Sequence, residues 1–459
     1  MNLEIIILAA GQGKRMYSNV PKVLHCFAGK PMLKRVIDAA LQLKPHHIHV
    51  VIGHKGEEVQ EALSALPVHW VFQKEQLGTG HAVLEALSSV QSESLVLVLS
   101  ADVPLIQPEV LLNLTKKVSS SSASSLSLLV AHVENPTGLG RIVRQDGVIE
   151  KIVEEKDASD EEKKIKEIYT GICCARQDAL ARWLPQLSND NAQQEYYLTD
   201  IVQLAVKERV LIASLEVHDL FTIQGVNNQL QLQELERVWQ KHLATQLMLE
   251  GVHIADASRF DIRGELQCGR DVFIDVNTVF IGRVELQDGC HVEPNCVLKD
   301  VIVGKNSVIR ANSVLEGSVV GDSNEIGPFA RLRQGTVLAQ HCKIGNFVET
   351  KKAHFDEGSK ASHLSYLGDV TIGKKVNIGA GTITCNYDGV NKHQTIIEDG
   401  VFIGSDTQLI APVTVGKNAT IGAGSTIRKP VPAGELTLTV SQQKTILGWE
   451  RPKKKVEHL

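Results

Sequence analysis

Aromatic residues are scarce, at 4% of 459 positions. That points to a core packed with aliphatic side chains. Charge of one sign is also missing: 48 Lys and Arg against 53 Asp and Glu leave a net charge of −5. A balance this close excludes a nucleic-acid coat or an acidic tail as the organising feature. No apolar run reaches membrane-spanning length. The N-terminal run Ile5–Ala10 lacks a basic leader and ends in a glycine loop, so it reads as a buried strand and not a signal peptide. The eight cysteines form no Cys-x-x-Cys pair. They read as reduced core thiols of a cytosolic, cytoplasmic protein, not as disulfides or a metal site. Cys173 and Cys174 are predicted to face opposite sides of one strand. Cys290 and Cys296 fall where the second half of the chain wants small residues.

What the chain has is a beat of six. Apolar residues recur at Ile262, Cys268, Ile274, Phe280, Leu286, Val292 and Leu298, slip by one to Val303, Ile309 and Leu315, and slip again from Val320 to Ile344. The beat returns at Ile372 and Ile378, and again from Ile403 to Ile421. Period six is neither helical nor a simple strand alternation. It predicts short strands that turn a corner every six residues, so that the chain coils into a β-solenoid with each beat residue stacked inward. Dense glycines and β-branched residues argue against helix. The regular units give way, on this reading, between Gly345 and Gly389, where polar residues gather that a passive repeat would not need.

The first half alternates strand-like and helix-like segments, which predicts a mostly parallel, doubly wound sheet with ligands at the carboxyl ends of its strands. Leu230–Leu249 reads as an amphipathic helix joining the halves, with Leu232, Leu235, Val238, Trp239, Leu243 and Leu247 on its apolar side. The expected division is 1–226, a linker helix 227–247, and 248–459. The Ser119–Ser125 run is expected to be a loop between a helix and a strand. The basic end around Lys453-Lys454-Lys455 is expected to be a solvated tail.

Leu8-Ala9-Ala10-Gly11-Gln12-Gly13-Lys14-Arg15-Met16 follows the first strand and leads to Pro21-Lys22. Glycines at such a turn let backbone N–H groups approach phosphate oxygens, and Arg15 and Lys22 supply positive charge. The spacing is not that of a Walker loop or of a dinucleotide fingerprint. With Arg15, Pro21 and Lys22 it resembles the signature of the sugar-nucleotide pyrophosphorylases. The same resemblance makes Gln73, Gly78 and Thr79 a uracil-reading loop, Ser100-Ala101-Asp102 and Asn227 the surroundings of a Mg²⁺ ion held by Asp102 and Asn227, and Gly140, Glu154 and Tyr169 the sugar's neighbours.

Within 345–389, His363 is the candidate general base, because an imidazole titrates near neutrality. Glu349 is the candidate to orient it. The set Asn346-Phe347-Val348-Glu349, Lys351-Lys352, His363–Asp369 and Gly379–Gly389 resembles the acetyltransferase half of the bacterial bifunctional N-acetylglucosamine-1-phosphate uridyltransferase/glucosamine-1-phosphate acetyltransferases. The resemblance covers essentially the whole chain, with both halves in order. It implies an α/β nucleotidyltransferase domain of Rossmann-like type, then a left-handed parallel β-helix of hexapeptide repeats. It also implies a homotrimer, with neither nucleic acid nor membrane as partner, that makes UDP-N-acetylglucosamine for peptidoglycan and lipopolysaccharide. UTP and acetyl-CoA are the implied co-substrates. Arg333, Lys351, Tyr366 and Asn377 resemble the sugar-phosphate site; Ala380, Asn386, Tyr387, Ser405, Ala423 and Val440 resemble the acetyl-CoA site. Four positions depart from the family: Ser100-Ala101 stands for Tyr-Gly, Tyr169 for Asn, and Val440 for an Arg, with Lys444 nearby as a substitute cation. The rival reading is a monofunctional pyrophosphorylase whose solenoid regulates or trimerises.

Overall fold

The computed structural model describes residues 1–120 and 124–452. Part of the Ser119–Ser125 run and the Lys453-Lys454-Lys455 tail lie outside the described residues. The chain divides into two compact units, Met1–His242 and Leu243–Leu459.

The first unit is built on a nine-stranded sheet. Leu3–Leu8 pairs in parallel with His47–Ile52 on one side and Leu95–Ser100 on the other. Those strands are continuous runs of Ile, Val and Leu because both of their faces are covered. Glu167–Arg176 is antiparallel to Leu95–Ser100, Ser124–His132 and Gly140–Gln145, so the sheet is mixed. Ile5 and Ile7 pack on one face with the helix Met32–Gln42, and Ile6 packs on the other with the helix Thr79–Leu87. Cys173 and Cys174 fall into these two opposite cores, as strand alternation requires.

The second unit is a parallel β-helix. Its strands stack into two long parallel sheets that run the length of the coil. The beat residues Ile274, Phe280, Leu286, Val292, Leu298, Val303, Ile309, Leu315, Ile326, Leu332 and Ile344 have no exposed surface. Each such side chain removed from water contributes ~1.5–3 kcal/mol. Four positions after a beat residue sits a small polar side chain that closes the coil: Ser307 Oγ donates to Gly321 O at 2.8 Å, and Ser359 occupies the equivalent place after Phe355. Cys290 and Cys296 take the same position and direct their thiols at the Gly304 and Arg310 carbonyls. Burial pushes both thiols up to about 11, which keeps them protonated.

Two expectations change. The coil does not break at Gly345. Arg331 pairs with Glu349, Glu349 with Tyr366, and Tyr366 with Ile383, so the register advances by one coil each time. The beat was hidden because Thr350, Ala361 and Thr384 replace large aliphatics on the buried side. The real excursion is the stretch 386–394, closed by a Tyr387–Lys392 bridge, after which Ile383 pairs with Gln408. The helix runs Gln229–Leu249, and Val238 is exposed on it; Leu232 and Leu235 belong to a core of the first unit, Ala244 and Leu247 to that of the second.

Candidate active sites

In the first unit, every pyrophosphorylase-like position named from the sequence lines one cavity of about 720 Å³ at the carboxyl ends of the strands. Leu8, Ala9, Ala10 and Gly11 form its floor, and Gln73, Gly78, Thr79, Ser100, Ala101, Asp102, Gly140, Glu154, Tyr169 and Asn227 its walls. Gly78 has φ +116°, and a Cβ there would lie 2.6 Å from Tyr196 O, so only glycine fits. Gln73 is buried, and its amide nitrogen donates to Gly78 O at 3.1 Å, fixing that loop.

The charged end of the cavity is tightly knit. Lys22 Nζ lies 2.5 Å from Asp102 Oδ2 and 2.8 Å from Asn227 Oδ1, and Arg15 Nη2 donates to the same Asn227 oxygen at 3.0 Å. Ser100 Oγ donates to Asp102 Oδ1 at 2.7 Å, and Val226 N to Asp102 O at 2.9 Å, so strand end and return loop are tied together. At the other end, Arg141 pairs with Glu155 at 2.5 Å while Glu155 accepts from Gly138 N at 3.0 Å, which holds the loop before Gly140. Burial pushes the Glu154 carboxyl above its usual range, opposed by a 3.2 Å hydrogen bond from Thr199 Oγ1. Burial also pushes the Tyr169 phenol well up, so it stays a neutral donor.

In the second unit, His363 Nδ1 lies 3.1 Å from Asn346 Oδ1, one coil below it. Asn346, and not Glu349, orients the imidazole. Glu349 instead accepts from Arg333 Nη1 at 2.8 Å. Lys392, delivered by the 386–394 excursion, and then Arg333 hold the Lys351 ammonium below the usual lysine range. Asn386 Nδ2 donates to Asp369 Oδ2 at 2.5 Å, and a Cβ on Gly368 would lie 2.5 Å from Tyr366 Oη and 2.9 Å from Asn386 Nδ2. Arg333, Lys351, Tyr366, Asn386 and Lys392 thus make one polar, cationic patch.

Asn346, His363, Ala380, Ser405 and Ala423 occupy one column, each two residues after the paired Ile344, Ala361, Ile378, Ile403 and Ile421. Asn377 stands on the same strand path, paired with Lys360 and Phe402, and is not brought to Arg333 or Lys351 by any pairing described within one chain. Tyr387 and Val440 are exposed, Val440 directly after Thr439, whose amide bonds to Ser425 Oγ.

Residues 5–145 match the model of the MobA-like NTP transferase domain, 262–355 that of the GMPPB C-terminal domain, and 394–429 that of the bacterial transferase hexapeptide (six repeats). Over 458 residues the chain is 64% identical to the bifunctional protein GlmU of Legionella pneumophila, covering 99% of each chain. It is 53% identical over 453 residues to GlmU of Marinobacter nauticus, covering 98% of this chain and 99% of the relative. The chain belongs to the GlmU family. The two candidate sites fall one in each half of the chain, the first inside the NTP-transferase match apart from Glu154, Tyr169 and Asn227.

Sequence reasoning missed Lys392 and the part played by Asn346. Lys392 sits in an exposed loop, and nothing in its neighbours marks it before the Tyr387–Lys392 bridge turns it back. Asn346 could have been found by the coil spacing, since it stands 17 residues before His363 on adjacent strands.

Proposed function

We propose that this GlmU-family chain makes UDP-N-acetylglucosamine in two reactions, with the second unit acting first. There the amine of glucosamine-1-phosphate attacks the thioester carbonyl of acetyl-CoA. The amine proton passes to the free ring nitrogen of His363, whose other nitrogen Asn346 holds, and the C–S bond breaks to release the CoA thiol. Arg333, Lys351 and Lys392 hold the sugar phosphate, with Tyr366 and Asn377 on the sugar. Ala380, Ser405 and Ala423 receive acetyl-CoA along the column above His363, with Asn386, Tyr387 and Val440 as its further contacts.

In the first unit a phosphate oxygen of N-acetylglucosamine-1-phosphate attacks the α-phosphorus of UTP and pyrophosphate leaves. Gln73, Gly78 and Thr79 read the uracil; Gly140, Glu154 and Tyr169 hold the sugar. The Leu8–Gly11 backbone, Arg15 and Lys22 neutralise the phosphates. The donor set at Asp102 and Asn227 is two oxygens already gathered around one cationic nitrogen, which suits a hard ion. These two residues would hold Mg²⁺, and the ion would supply charge neutralisation as pyrophosphate departs. The working division is 1–226 for uridyl transfer, 227–247 as linker and 248–459 for acetyl transfer.

The assembly is a homotrimer. Phe329, Phe347 and Leu364 lie 49%, 57% and 61% exposed at successive corners of the coil, with the two phenyl rings stacked at 5.4 Å, immediately after the column that holds His363. An apolar ridge of this kind favours burial against a second copy, and a neighbour there would enclose His363. The enzyme works in the cytoplasm, where both co-substrates are made; among the described residues no helix is long and apolar enough to cross a membrane.

The observation that carries the proposal is the presence of both constellations in one chain with a full-length relative at 64% identity. The test assays the full chain twice, for free thiol from acetyl-CoA and for pyrophosphate from UTP. Both activities are expected. Pyrophosphate release without thiol release would instead make the solenoid a scaffold.

A further inference from the structure

Away from both sites, at the amino ends of the central strands, Glu4 is completely buried. It faces His47 across the parallel pair and shares its sheet face with His49, which in turn pairs with His69 on the next strand. About four residues of strand, ~13 Å, separate Glu4 from Leu8 on the floor of the nucleotide cavity. Among the described residues, the ion-pair partners of Glu4 are His46, His47 and His49. A carboxylate with no exposed surface needs a positive partner to be tolerated. Here its charged partners among the described residues are imidazoles, and their ring nitrogens converge on it. His47 Nδ1 is 3.4 Å from Glu4 Oε1, His49 Nε2 is 2.9 Å from Glu4 Oε2, and His46 Nδ1 is 2.9 Å from His47 Nδ1 and 3.4 Å from Glu4 Oε1.

We propose that Glu4, His47 and His49 bind a divalent transition-metal cation, Zn²⁺ being the ion their chemistry suits, with His46 as the fourth donor. One ligand atom from each of Glu4, His47 and His49 lies within 4.8 Å of the others. Zn²⁺ takes nitrogen and carboxylate oxygen at about 2.0–2.2 Å, so tetrahedral donors stand ~3.4 Å apart. The spacing from His47 to Glu4 Oε1 already has that value, and His49 stands 2.9 Å from the other oxygen, Oε2, so the carboxylate faces both rings. Imidazole donors also set this cluster apart from Asp102 and Asn227, whose oxygens suit a harder ion. His46 and His47 are partly exposed and give the ion its route in, while Glu4 and His49 form the closed inner wall. His69, 4.8 Å from the His47 ring and edge-on to it, limits how far that ring can swing. The ion would clamp Leu3–Leu8 to His47–Ile52 from the side opposite the nucleotide cavity.

The test strips the full chain of metal and titrates Zn²⁺ in competition with a colorimetric chelator. Wild type is expected to hold one tight equivalent. His47→Ala removes a ring 33% exposed while His46 and His49 stay beside Glu4, and is expected to weaken binding at least tenfold; Glu4→Gln, isosteric, should do the same. His132→Ala alters an exposed histidine paired with Glu216 elsewhere on the sheet and should leave the tight equivalent intact. Anomalous diffraction at the zinc edge then places the ion between Glu4, His47 and His49. Equal affinity in wild type and His47→Ala, or an ion found only elsewhere, overturns the assignment.

Discussion

Lys22 Nζ stands 2.5 Å from Asp102 Oδ2 and bridges to Asn227 Oδ1, so an ammonium occupies the space between the two oxygens assigned to Mg²⁺. The lysine and the ion are therefore alternatives at that point. If Asp102 and Asn227 hold the ion as proposed, Lys22 would leave them and be free to meet the phosphates. Lys22→Met is expected to tighten Mg²⁺ binding to the nucleotide-free protein by on the order of tenfold, ~1.4 kcal/mol, while raising the KM for UTP. Calorimetry with Mg²⁺ alone and steady-state kinetics separate the two effects. Unchanged Mg²⁺ affinity would show that the lysine does not compete.

Asp102→Ala removes a carboxylate from the charged end of the cavity in the first unit. Pyrophosphate release is expected to fall by ~10²–10³-fold, the scale of losing one preorganised electrostatic partner. Thiol release from acetyl-CoA should stay near wild type. Loss of both would indicate misfolding and not a lost ligand.

His363→Ala is expected to reduce acetyl transfer by ~10²–10⁴-fold, the usual worth of a positioned general base, with uridyl transfer intact. Asn346→Ala keeps the base but frees its ring, so a smaller fall in kcat is expected, with the KM for acetyl-CoA little changed. A wild-type rate in Asn346→Ala would show that the imidazole is held by something else.

The cations around Lys351 set a pH limit. Lys392 and Arg333 disfavour its charged form, so its positive charge is lost at lower pH than for an ordinary lysine. As pH rises through that point, affinity for the sugar phosphate drops, and the alkaline limb of kcat/KM for glucosamine-1-phosphate marks it. Lys392→Met removes the largest of these repulsions. The limb should then move to higher pH, even as phosphate affinity near neutrality falls. A limb that stays in place would assign it to another group.

Gly78→Ala puts a methyl group 2.6 Å from Tyr196 O at a φ that side chains avoid. The strain is of order ~1–3 kcal/mol, and it falls on the loop that Gln73 anchors. Weaker UTP binding and a lower melting temperature of the first unit are expected, with acetyl transfer unaffected.

Much of this molecule is legible in its sequence because the solenoid repeats. Ile274, Phe280 and Leu286 announce a buried column simply by recurring. The glycine loop after Leu8 and the carboxylate after Leu95–Ser100 are likewise local patterns. Legibility ends where spatial neighbours come from separate coils or loops. Glu349 looked like the partner of His363, but strand pairing hands that place to Asn346 and gives Glu349 to Arg333. Thr350, Ala361 and Thr384 hid an unbroken coil because they are small or polar yet fully buried where other coils carry Ile, Leu or Val. Glu4 and the histidines of Pro45-His46-His47-Ile48-His49 meet only through the parallel register of two strands.

The column Asn346–His363–Ala380–Ser405–Ala423 has one further property. Its members are separated by the rise of a coil, ~4.8 Å, so His363 and Ala423 lie three steps, ~14 Å, apart along the axis. A stack of this kind is a ruler. On the proposed acetyl-transfer reading it would measure an extended acyl carrier from its reactive end to its far contacts in units the backbone itself dictates. Inserting one whole coil between Ser405 and Ala423 would leave the 386–394 excursion in place while moving Ala423 one graduation further from His363, so on the proposed reading the coil count helps set the length of carrier that His363 can serve.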